Sequence, residues 1–338
     1  MKMKTESCLG ILLFLIAVTN AKSQGSRQDS WHLVIAEDLT IELINLTDEQ
    51  EDSSSTWEEW HSDVLFNLYT VKNPDTPQLL YPYDVDSLAN SNFDPRVPTR
   101  IVIHGWLNSN ESKINPLLRA GYLESGFEYN FIFVDWNAYA KRDYWYARSK
   151  VQTVGEYVGE MIDFLVDQGM DIKDLIILGH SLGAHVSGIA GRSCSYEVPI
   201  IVAMDPASPL FWPIKTKTNL SKNDARVVYA IHTNAGFLGY PEEIGHIDMW
   251  PNGGSHQRGC VADLIGSCAH SRSYVYFSES LRSKKKFTAK ACENYSKYEK
   301  GECENGATSY LGGLVLDTGA SGSFYLKTSG GPDTFMLE

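Results

Sequence analysis

Basic residues and long apolar runs are both scarce in this chain. Its 338 residues contain 29 Lys and Arg against 42 Asp and Glu, so the formal net charge is −13. No Lys or Arg occurs from residue 32 to residue 71. This acidity argues against nucleic acid as a partner. Beyond the N-terminus, no segment approaches the roughly 18 consecutive apolar residues of a transmembrane helix, so we expect none.

The strongly apolar stretch that does occur lies at the N-terminus. Lys2 and Lys4 precede a ten-residue apolar run at residues 9–18, and small residues follow around Ala21 and Ser23. This pattern is typical of a secretory signal peptide, and the run is too short to span a bilayer. We therefore expect residues 1–23 to be a signal peptide and the protein to be secreted into the extracellular space.

Cysteine is scarce as well, and its number becomes odd when the signal peptide is removed. Loss of Cys8 leaves five of the six cysteines, and an odd count in a secreted protein indicates a free thiol or an intermolecular bond. Proximity along the chain favours a Cys292–Cys303 disulfide. Sequons mark four candidate glycosylation sites, which are Asn45, Asn110, Asn219 and Asn294.

The segment that follows the signal peptide is acidic. Aspartate and glutamate crowd between residues 37 and 59, and a charge run of this kind is usually solvated. We interpret residues 24–60 as an acidic N-terminal extension with one strand at residues 39–46. The remaining residues, 61–338, then form the main domain.

Strand and helix signals alternate from residue 100 onward. Apolar runs at residues 100–103, 131–135 and 175–178 predict strands, and residues 154–167 carry apolar side chains at helical spacing. This alternation predicts an α/β fold with a mostly parallel central sheet and helices on both faces. The chain has no internal repeat, so we expect a single decorated α/β domain.

Within that pattern, one short segment indicates chemistry. Gly179-His180-Ser181-Leu182-Gly183 follows the strand signal at residues 175–178 and precedes a helix-like stretch at residues 186–191. A G-x-S-x-G match between strand and helix predicts a nucleophile elbow. The flanking positions must be very small, which Gly179 and Gly183 satisfy. The helix that follows directs N–H groups and its positive end at negative charge on a substrate. Ser181 is therefore a candidate nucleophile.

A serine nucleophile needs a base, and the base needs an orienting acid. Asp205 ends the apolar run at residues 198–204, and an acid at the carboxyl end of a buried strand faces the crevice where open α/β sheets bind ligands. Four histidines downstream are candidate bases, and the residue pattern alone does not separate His232, at the end of a predicted strand, from His270, two residues after Cys268. These candidates are His232, His246, His256 and His270.

Eight segments between residues 64 and 273 together resemble the pancreatic lipase family, and the likeness extends over roughly residues 65–324. They are residues 64–70, 100–106, 134–136, 179–185, 204–207, 231–234, 251–254 and 268–273. The resemblance implies an α/β-hydrolase fold and a serine lipase chemistry. It identifies Ser181 as nucleophile, Asp205 as orienting acid and His270 as general base.

The same resemblance implies further features. The backbone N–H groups of Leu182 and Trp106 would form the oxyanion hole, and Cys260 would pair with Cys268, which leaves Cys194 over. Family members often carry a C-terminal β-sandwich that contacts lipid and colipase. Residues 271–338 are too few for that sandwich, so we expect one catalytic domain, no colipase partner and a monomer.

Substrate class is predicted from the loop that the resemblance identifies as the lid. Only residues 261–267 lie between Cys260 and Cys268, which is too short for two helical turns. Short lids resemble those of phospholipase A1 members, including insect enzymes. We therefore expect hydrolysis of the sn-1 ester of glycerophospholipids at a membrane, lipid-droplet or micelle surface. The alternatives are a neutral triacylglycerol or galactolipid lipase, a non-lipid esterase or thioesterase, and a lipid-binding or storage protein with little turnover.

No cofactor is expected. Some family members hold calcium in the loop before Asp224. In this chain, residues 219–223 include a lysine, and Ser221 stands at one expected carboxylate position. Calcium prefers six to eight oxygen ligands with carboxylates among them. The sequence therefore predicts neither a metal ion nor an organic cofactor.

Overall fold

The structure is a computed structural model that describes residues 62–331, apart from residues 214, 215, 262, 264 and 265, together with residue 335 and the backbone of two N-terminal strands. These strands, β1 (Trp31–Ile35) and β2 (Ile41–Asn45), pair antiparallel. The strand predicted at residues 39–46 is confirmed as β2, whereas β1 was not predicted. A lone strand leaves its backbone N–H and C=O groups unpaired, and β1 supplies the partner that β2 needs. The predicted signal peptide lies outside the described residues.

The main body of the chain alternates strands and helices. Its strands are β3 (Leu65–Tyr69), β4 (Gln78–Leu80), β5 (Thr99–Ile103), β6 (Asn130–Asp135), β7 (Leu175–His180), β8 (Ile200–Met204), β9 (Val227–Ile231), β10 (Ile247–Pro251), β11 (Phe287–Ala291), β12 (Thr308–Leu311) and β13 (Gly322–Leu326). Its helices are α1 (Val85–Ala89), α2 (Ile114–Leu123), α3 (Asn137–Ala140), α4 (Tyr144–Ser149), α5 (Val151–Asp167), α6 (Leu182–Ser193), α7 (Ser267–Arg282) and α8 (Tyr295–Glu299).

One large sheet organises these elements. Its strand order is β12-β11-β13-β10-β9-β8-β7-β5-β6-β3-β4. Every neighbouring pair from β13 to β6 is parallel, whereas the pairs at the two ends of the sheet are antiparallel. The predicted mostly parallel sheet is confirmed, and the architecture is that of an α/β-hydrolase fold. Among the described residues, no helix is long and apolar enough to cross a membrane.

Both faces of the sheet are covered, because successive side chains of a strand point to opposite faces. In β5, Ile101 and Ile103 belong to the core beneath α5 and α6, whereas Val102 belongs to the core beneath α2 and α7. All three side chains are fully buried, and full burial of such a side chain contributes roughly 1.5–3 kcal/mol. The two cores fix the sheet rigidly beneath its carboxyl edge.

Two helices begin earlier than the sequence pattern indicates. Helix α5 begins at Val151 rather than at residue 154, because Val151 is buried and continues the apolar stripe by one turn. Helix α6 begins at Leu182 rather than at residue 186. The low helix propensity of Gly183 hides this start, which is set by packing against the sheet.

The parallel strands end at one edge, where the polar residues of interest follow them. The register pairs Ile103 of β5 with Gly179 of β7, and His180 of β7 with Met204 of β8. The ladders continue past the strands, since the N–H of Ser181 donates to Met204 O at 3.1 Å and that of Asp205 to Ile231 O at 2.7 Å. Ser181 and Asp205 are thereby placed on adjacent strand ends.

Candidate active site

The elbow around Ser181 has the strained backbone that its sequence predicts. Ser181 has φ 57° and ψ −121° and lies between β7 and α6. A Cβ on Gly179 would lie 2.2 Å from Gly183 O, and a Cβ on Gly183 would lie 2.3 Å from Ile103 O. Neither position can carry a side chain without moving backbone, so the two glycines are required by close approach.

Strained residues cluster at this edge of the sheet. Leu107, Ser181 and Asp205 all have positive φ, at 56°, 57° and 45° respectively. For a non-glycine residue such a conformation costs about 1–3 kcal/mol, and it persists only where the surrounding structure enforces it. Strain of this kind occurs preferentially at functional sites, so its concentration here marks the edge as one.

A buried carboxylate and a histidine form a tight pair beside the elbow. His270 Nδ1 lies 2.6 Å from Asp205 Oδ2. The other carboxylate oxygen, Oδ1, accepts the N–H groups of Thr233 at 2.7 Å and Asn234 at 3.0 Å. Asp205 is fully buried and His270 is 5% exposed. Because the carboxylate accepts at Nδ1, the neutral ring carries its proton there and Nε2 is able to take up another.

Gly239 shapes the other side of the same carboxylate. A Cβ at Gly239 would lie 2.5 Å from Asp205 Oδ1 and 2.6 Å from Oδ2. Only glycine therefore fits against Asp205. The sequence analysis missed this residue, because a single glycine in a loop carries no signal for a contact with a carboxylate 34 positions earlier in the chain.

His180, the residue before Ser181, packs against His270. The His180 and His270 rings lie 4.5 Å apart, and His180 Nε2 is 3.3 Å from His270 O. Among the described residues, no hydrogen bond joins the Ser181 hydroxyl to the His270 ring. The hydroxyl instead lies against Gly105, 3.3 Å from the position of a Cβ there. Catalytic hydrogen bonds are often long in a free enzyme and shorten when substrate binds.

The two predicted oxyanion donors flank Ser181. Leu182 is the first residue of α6, so its N–H has no partner within the helix. Trp106 lies one residue beyond Gly105, whose missing Cβ would come 2.7 Å from Ser181 Cβ. In the described part of the chain, neither N–H donates to a backbone carbonyl. Both donors are therefore free to face a negative charge beside Ser181.

Two contacts fix the side chain of Trp106. Its indole Nε1 donates to Arg142 O at 2.8 Å, and its ring packs edge-on against Tyr144 with centroids 5.2 Å apart. Trp106 is only 7% exposed. The loop at residues 104–107, which we call the oxyanion loop after the predicted role of Trp106, is thus anchored by the segment that joins α3 and α4.

A second buried histidine–aspartate pair supports the oxyanion loop. His104 Nδ1 donates to Gly105 O at 2.8 Å, and its Nε2 lies 3.2 Å from Asp135 Oδ1. Burial by itself raises the pKa of Asp135. Hydrogen bonds to His104, Asn137 and the N–H of Asn110 outweigh burial and lower this pKa to about 2. Both residues lie in segments that resemble the lipase family, but nothing in the sequence indicated their pairing.

In the described residues, the rings of the remaining candidate bases do not bond the Asp205 carboxylate. His232 is fully buried and its Nε2 lies 2.8 Å from Asp248 Oδ1. His246 Nδ1 accepts the N–H of Val228, and His256 is exposed and packs edge-on against a phenylalanine. Of the four histidines that the residue pattern left open, only His270 contacts the acid.

Both expected disulfides are present. Cys260 pairs with Cys268 and Cys292 with Cys303, and Cys194 is a free cysteine. Burial and a hydrogen bond to Asp163 raise the pKa of the Cys194 thiol to about 12. A thiol that stays protonated is a poor nucleophile. We therefore assign Cys194 no chemistry.

The short loop between Cys260 and Cys268 is described only in part, since residues 262, 264 and 265 lie outside the described residues. Asp263 accepts the N–H groups of Cys268 at 3.2 Å and Ala269 at 2.8 Å, and so caps the first turn of α7. Asp263, Cys260 and Cys268 form a candidate metal cluster within the described residues. Both sulfurs are in the disulfide, so they offer no thiolate to a metal ion.

An arginine occupies the loop where some family members hold calcium. Arg192 donates to both carboxylate oxygens of Asp224 at 2.9 and 2.6 Å, and also to the carbonyls of Lys217 and Asn219. Ser221 completes a capping box with Asp224. The guanidinium thus uses the oxygens that a cation would require in this loop.

The predicted glycosylation sites differ in accessibility. Asn219 is buried, and its Nδ2, the atom that would carry a glycan, donates to Phe211 O at 2.7 Å. The folded chain therefore occludes that nitrogen, and glycosylation of Asn219 stays a prediction that its burial disfavours. Asn110 and Asn294 are half-buried and remain candidates. Nothing is described of the side chain of Asn45.

Two open clefts lie next to α7, the helix that carries His270, and neither lining includes Ser181, Asp205 or His270. The larger, of about 520 Å³, separates the end of the oxyanion loop from the first turns of α7 and is rich in polar groups. The smaller, of about 160 Å³, lies next to the disulfide loop. The larger cleft is lined by Leu107, Ser112, Lys113, Ser271 and Arg272 among others.

Comparison with known proteins finds relatives of this chain by sequence. A sequence model of the family described as Lipase matches residues 34–330. The chain is 32% identical over 271 residues to pancreatic triacylglycerol lipase of Mus musculus, an alignment that covers 73% of this chain and 58% of the relative. It is 34% identical over 271 residues to inactive pancreatic lipase-related protein 1 of Canis lupus familiaris, with 73% and 57% covered. The chain thus spans a little over half the length of these relatives.

Similarity to solved structures is weaker. Esterase B from Lactobacillus Rhamnosis aligns with 44% of this chain and 49% of its own at 17% identity, with a TM-score of 0.27. So low a TM-score supports no argument, and the fold assignment rests on the sheet order and the family match. Two of the curated relatives, from Canis lupus familiaris and Homo sapiens, are named inactive, so similarity by itself does not establish turnover.

Proposed function

This chain belongs to the lipase family, and from that premise we propose that it is a serine carboxyl-ester hydrolase acting on lipids through an acyl-enzyme on Ser181. One observation carries the proposal. Ser181 holds a strained turn at the start of α6, next to a buried His270–Asp205 pair with a 2.6 Å contact. A strained serine, a paired histidine and two unpartnered amides at one edge of a sheet fit acyl transfer.

The reaction divides into two steps. His270 Nε2 takes the hydroxyl proton as Ser181 Oγ attacks the ester carbonyl, and the carbonyl oxygen becomes an oxyanion. The N–H groups of Leu182 and Trp106 donate to that oxyanion. As the tetrahedral intermediate collapses, the alcohol leaves with the proton from His270 and the acyl-enzyme remains. Water, deprotonated by the same imidazole, then releases the fatty acid and regenerates the serine.

Asp205 acts on the imidazole rather than on the substrate. Its carboxylate holds the ring in the productive tautomer and stabilises the imidazolium that forms in each step. Each oxyanion donor contributes about 3 kcal/mol of transition-state stabilisation, which corresponds to roughly a hundredfold in rate. Catalysis of this kind requires no metal ion or organic cofactor.

For the substrate, we propose the sn-1 ester of glycerophospholipids. The loop between Cys260 and Cys268 is too short to seal a wide cleft, so a charged head group could stay in water while one acyl chain enters. Desolvating that charge would be expensive. The polar cleft that Lys113 and Arg272 line lies directly beside the oxyanion loop and would receive the phosphate side of the substrate. The relevant surface is a membrane or micelle, and we expect neither colipase nor nucleic acid as a partner.

A comparison of two substrates tests this assignment. We expect the purified protein to release fatty acid from phosphatidylcholine faster than from triolein, and to release it from the sn-1 position. The name of the relative from Mus musculus favours the alternative, a neutral triacylglycerol lipase. A strong preference for triolein would establish that alternative and remove the phospholipid assignment.

A protein that binds or stores lipid with little turnover is the alternative of another class. Hydrolysis of a nitrophenyl ester by the wild type and by Ser181→Ala separates the two. The hydrolase proposal predicts a loss of at least about a thousandfold in kcat for the variant, since removal of a serine nucleophile abolishes the acyl-enzyme route. Equal rates in both proteins would leave only the binding role.

We also propose that the protein is secreted. Two disulfides join its described residues, and disulfides persist mainly in oxidising compartments. Together with the predicted signal peptide at residues 1–23, they support export. N-terminal sequencing of the protein from culture medium would test this, with a start near residue 24 as the expected outcome.

A further inference from the structure

A third buried histidine–aspartate pair lies one strand beyond Asp205. His232 Nε2 is 2.8 Å from Asp248 Oδ1, and its Nδ1 is 3.3 Å from Tyr240 O. The imidazole stacks on Trp250 with centroids 3.8 Å apart. Both members of the pair are fully buried. Substrate therefore has no access to this ring, and any contribution to catalysis has to pass through other residues.

The pair closes the loop that wraps Asp205. His232 begins this loop at the end of β9, and Asp248 follows it in β10. Besides His232, Asp248 Oδ1 accepts the N–H groups of Ile244 at 3.0 Å and Gly245 at 3.1 Å. One carboxylate oxygen thus ties the two ends of the loop, residues 232 and 244–245, to each other.

The loop between these ends touches the triad acid at three points. The N–H groups of Thr233 and Asn234 donate to Asp205 Oδ1. Gly239 lies against the carboxylate, where even a methyl group would collide. Tyr240, whose carbonyl faces His232, donates its N–H to Pro206 O at 2.7 Å. A displacement of the loop would therefore move both donors that orient the Asp205 carboxylate.

We propose that His232 and Asp248 are positioning residues that hold the loop of residues 233–240 against Asp205 and so fix the geometry of the Asp205–His270 contact. The inference rests on the proposed hydrolase function. A 1 Å misplacement of a catalytic group can lower a rate about a hundredfold, and the Thr233 and Asn234 donors are the only described backbone groups that bond to Oδ1. Both members of the pair are buried and neither lines either of the clefts described above, so we expect the effect of the pair to fall on the chemical step.

The test compares three variants of the pair in the full-length secreted protein. His232→Phe keeps a ring that can stack on Trp250 but removes both polar contacts. His232→Gln retains a donor toward Asp248, and Asp248→Asn retains the shape of the carboxylate without its charge. His246→Phe is the matched control, because it removes a histidine that bonds the N–H of Val228 outside this loop.

Each protein is assayed for kcat and KM with a soluble ester, for its melting temperature, and for the rate and endpoint of serine labelling by a fluorophosphonate. We expect His232→Phe to lower kcat and the labelling rate about tenfold to a hundredfold, with KM within a factor of two and full labelling at the endpoint. His232→Gln should recover most of the activity, and Asp248→Asn should fall between the two. The control should retain wild-type kcat.

Three outcomes would overturn the inference. The first is an unchanged kcat in His232→Phe. The second is a loss of activity that follows the melting temperature equally in His232→Phe and in the His246→Phe control. The third, which applies if His232→Phe does not fold, is wild-type kcat in both His232→Gln and Asp248→Asn. A wild-type protein that neither hydrolyses the ester nor reacts with the fluorophosphonate would instead remove the proposed function itself.

Discussion

The pairs His270–Asp205 and His232–Asp248 lie near each other at the same edge of the sheet. They differ in the contacts of the ring nitrogen that does not face the aspartate. In the His232 pair, that nitrogen faces Tyr240 O and the ring is covered by Trp250. In the His270 pair, no described residue bonds Nε2, and His270 retains 5% exposure. Under the two proposals made above, the same two side chains act either as a proton-transfer group or as a structural clamp, and access to one ring nitrogen separates the two roles.

The aspartates of the two pairs, Asp205 and Asp248, differ in backbone conformation but have similar hydrogen bonds. Asp205 has φ 45° and lies just beyond β8, whereas Asp248 lies within β10. One carboxylate accepts two loop amides and His270, and the other accepts two loop amides and His232. Similar hydrogen-bond environments therefore do not identify a catalytic acid, whereas proximity to a strained nucleophile does.

The largest loss of kcat is expected when the contact between Asp205 and His270 is disrupted. Asp205→Asn can present its amide to His270 Nδ1 and impose the wrong tautomer, which costs about ten-thousandfold in kcat in the serine-protease triad. We expect a loss of that order in ester hydrolysis, measured under saturating soluble substrate. Full activity in a correctly folded Asp205→Asn protein would show that His270 works without this partner.

Crowding the same carboxylate should have the next largest effect. Gly239→Ala inserts a methyl group about 2.5 Å from Asp205 Oδ1, so the carboxylate or the loop has to move. We expect kcat to fall about tenfold to a hundredfold. Gly319→Ala is the control, since its nearest neighbour would lie 3.8 Å away. Similar kcat values in the two variants would refute the claim that Gly239 is needed for the position of Asp205.

His185 is a buried histidine that has no carboxylate partner, and it extends the comparison of the two pairs to the pH dependence of stability. Burial, together with the nearby Arg148 and Arg192, lowers the pKa of His185 to about 3, although its hydrogen bond to Ala207 O opposes the shift. The unfolded chain takes up a proton near pH 6.5 and the folded chain does not until about pH 3. Stability is therefore lost as the pH falls through this window.

Urea unfolding at several pH values measures that loss. Between pH 6.5 and pH 4 we expect the free energy of unfolding to drop by about 3 kcal/mol from this residue. His185→Gln, which does not ionise, should be less stable at pH 7 and should show a shallower decline toward pH 4. An identical decline in both proteins would assign the pH dependence to other groups.

The smallest effect is expected at the polar cleft. Lys113 is exposed and lines the cleft beside the oxyanion loop. Exposed charge pairs contribute at most about 1 kcal/mol, so Lys113→Ala should lower the ratio of phospholipid to triglyceride hydrolysis by about twofold to fivefold. Lys285→Ala, in an exposed loop after α7, serves as the control. An unchanged ratio in Lys113→Ala would show that the cleft does not contact the head group.

Much of this edge could be predicted from local sequence. The strand–glycine–serine–glycine–helix order of the elbow and the acid at the end of β8 follow from short-range patterns, because backbone sterics and strand direction act over a few residues. The choice of His270 among the histidines came from a family resemblance rather than from the residues. The geometry agrees with it through the 2.6 Å contact to Asp205.

Other features were beyond local patterns. The Gly239 contact with Asp205, the pairing of His232 with Asp248 and the burial of the Asn219 sequon each depend on segments that the fold brings together. A short motif such as Asn-Leu-Ser reports glycosylation chemistry, but whether its amide is accessible depends on the packing of the Phe211 segment against it.

Local sequence was thus sufficient for the central strands, their mostly parallel arrangement and the elbow around Ser181, since hydrophobic periodicity and turn sterics are properties of neighbouring residues. Only the tertiary structure shows that His270 contacts Asp205, that His232 is buried and that position 239 has room only for glycine. The physical reason is that hydrogen bonding and desolvation act over a few ångströms in space, and residues that close are here separated by as many as 90 positions along the chain.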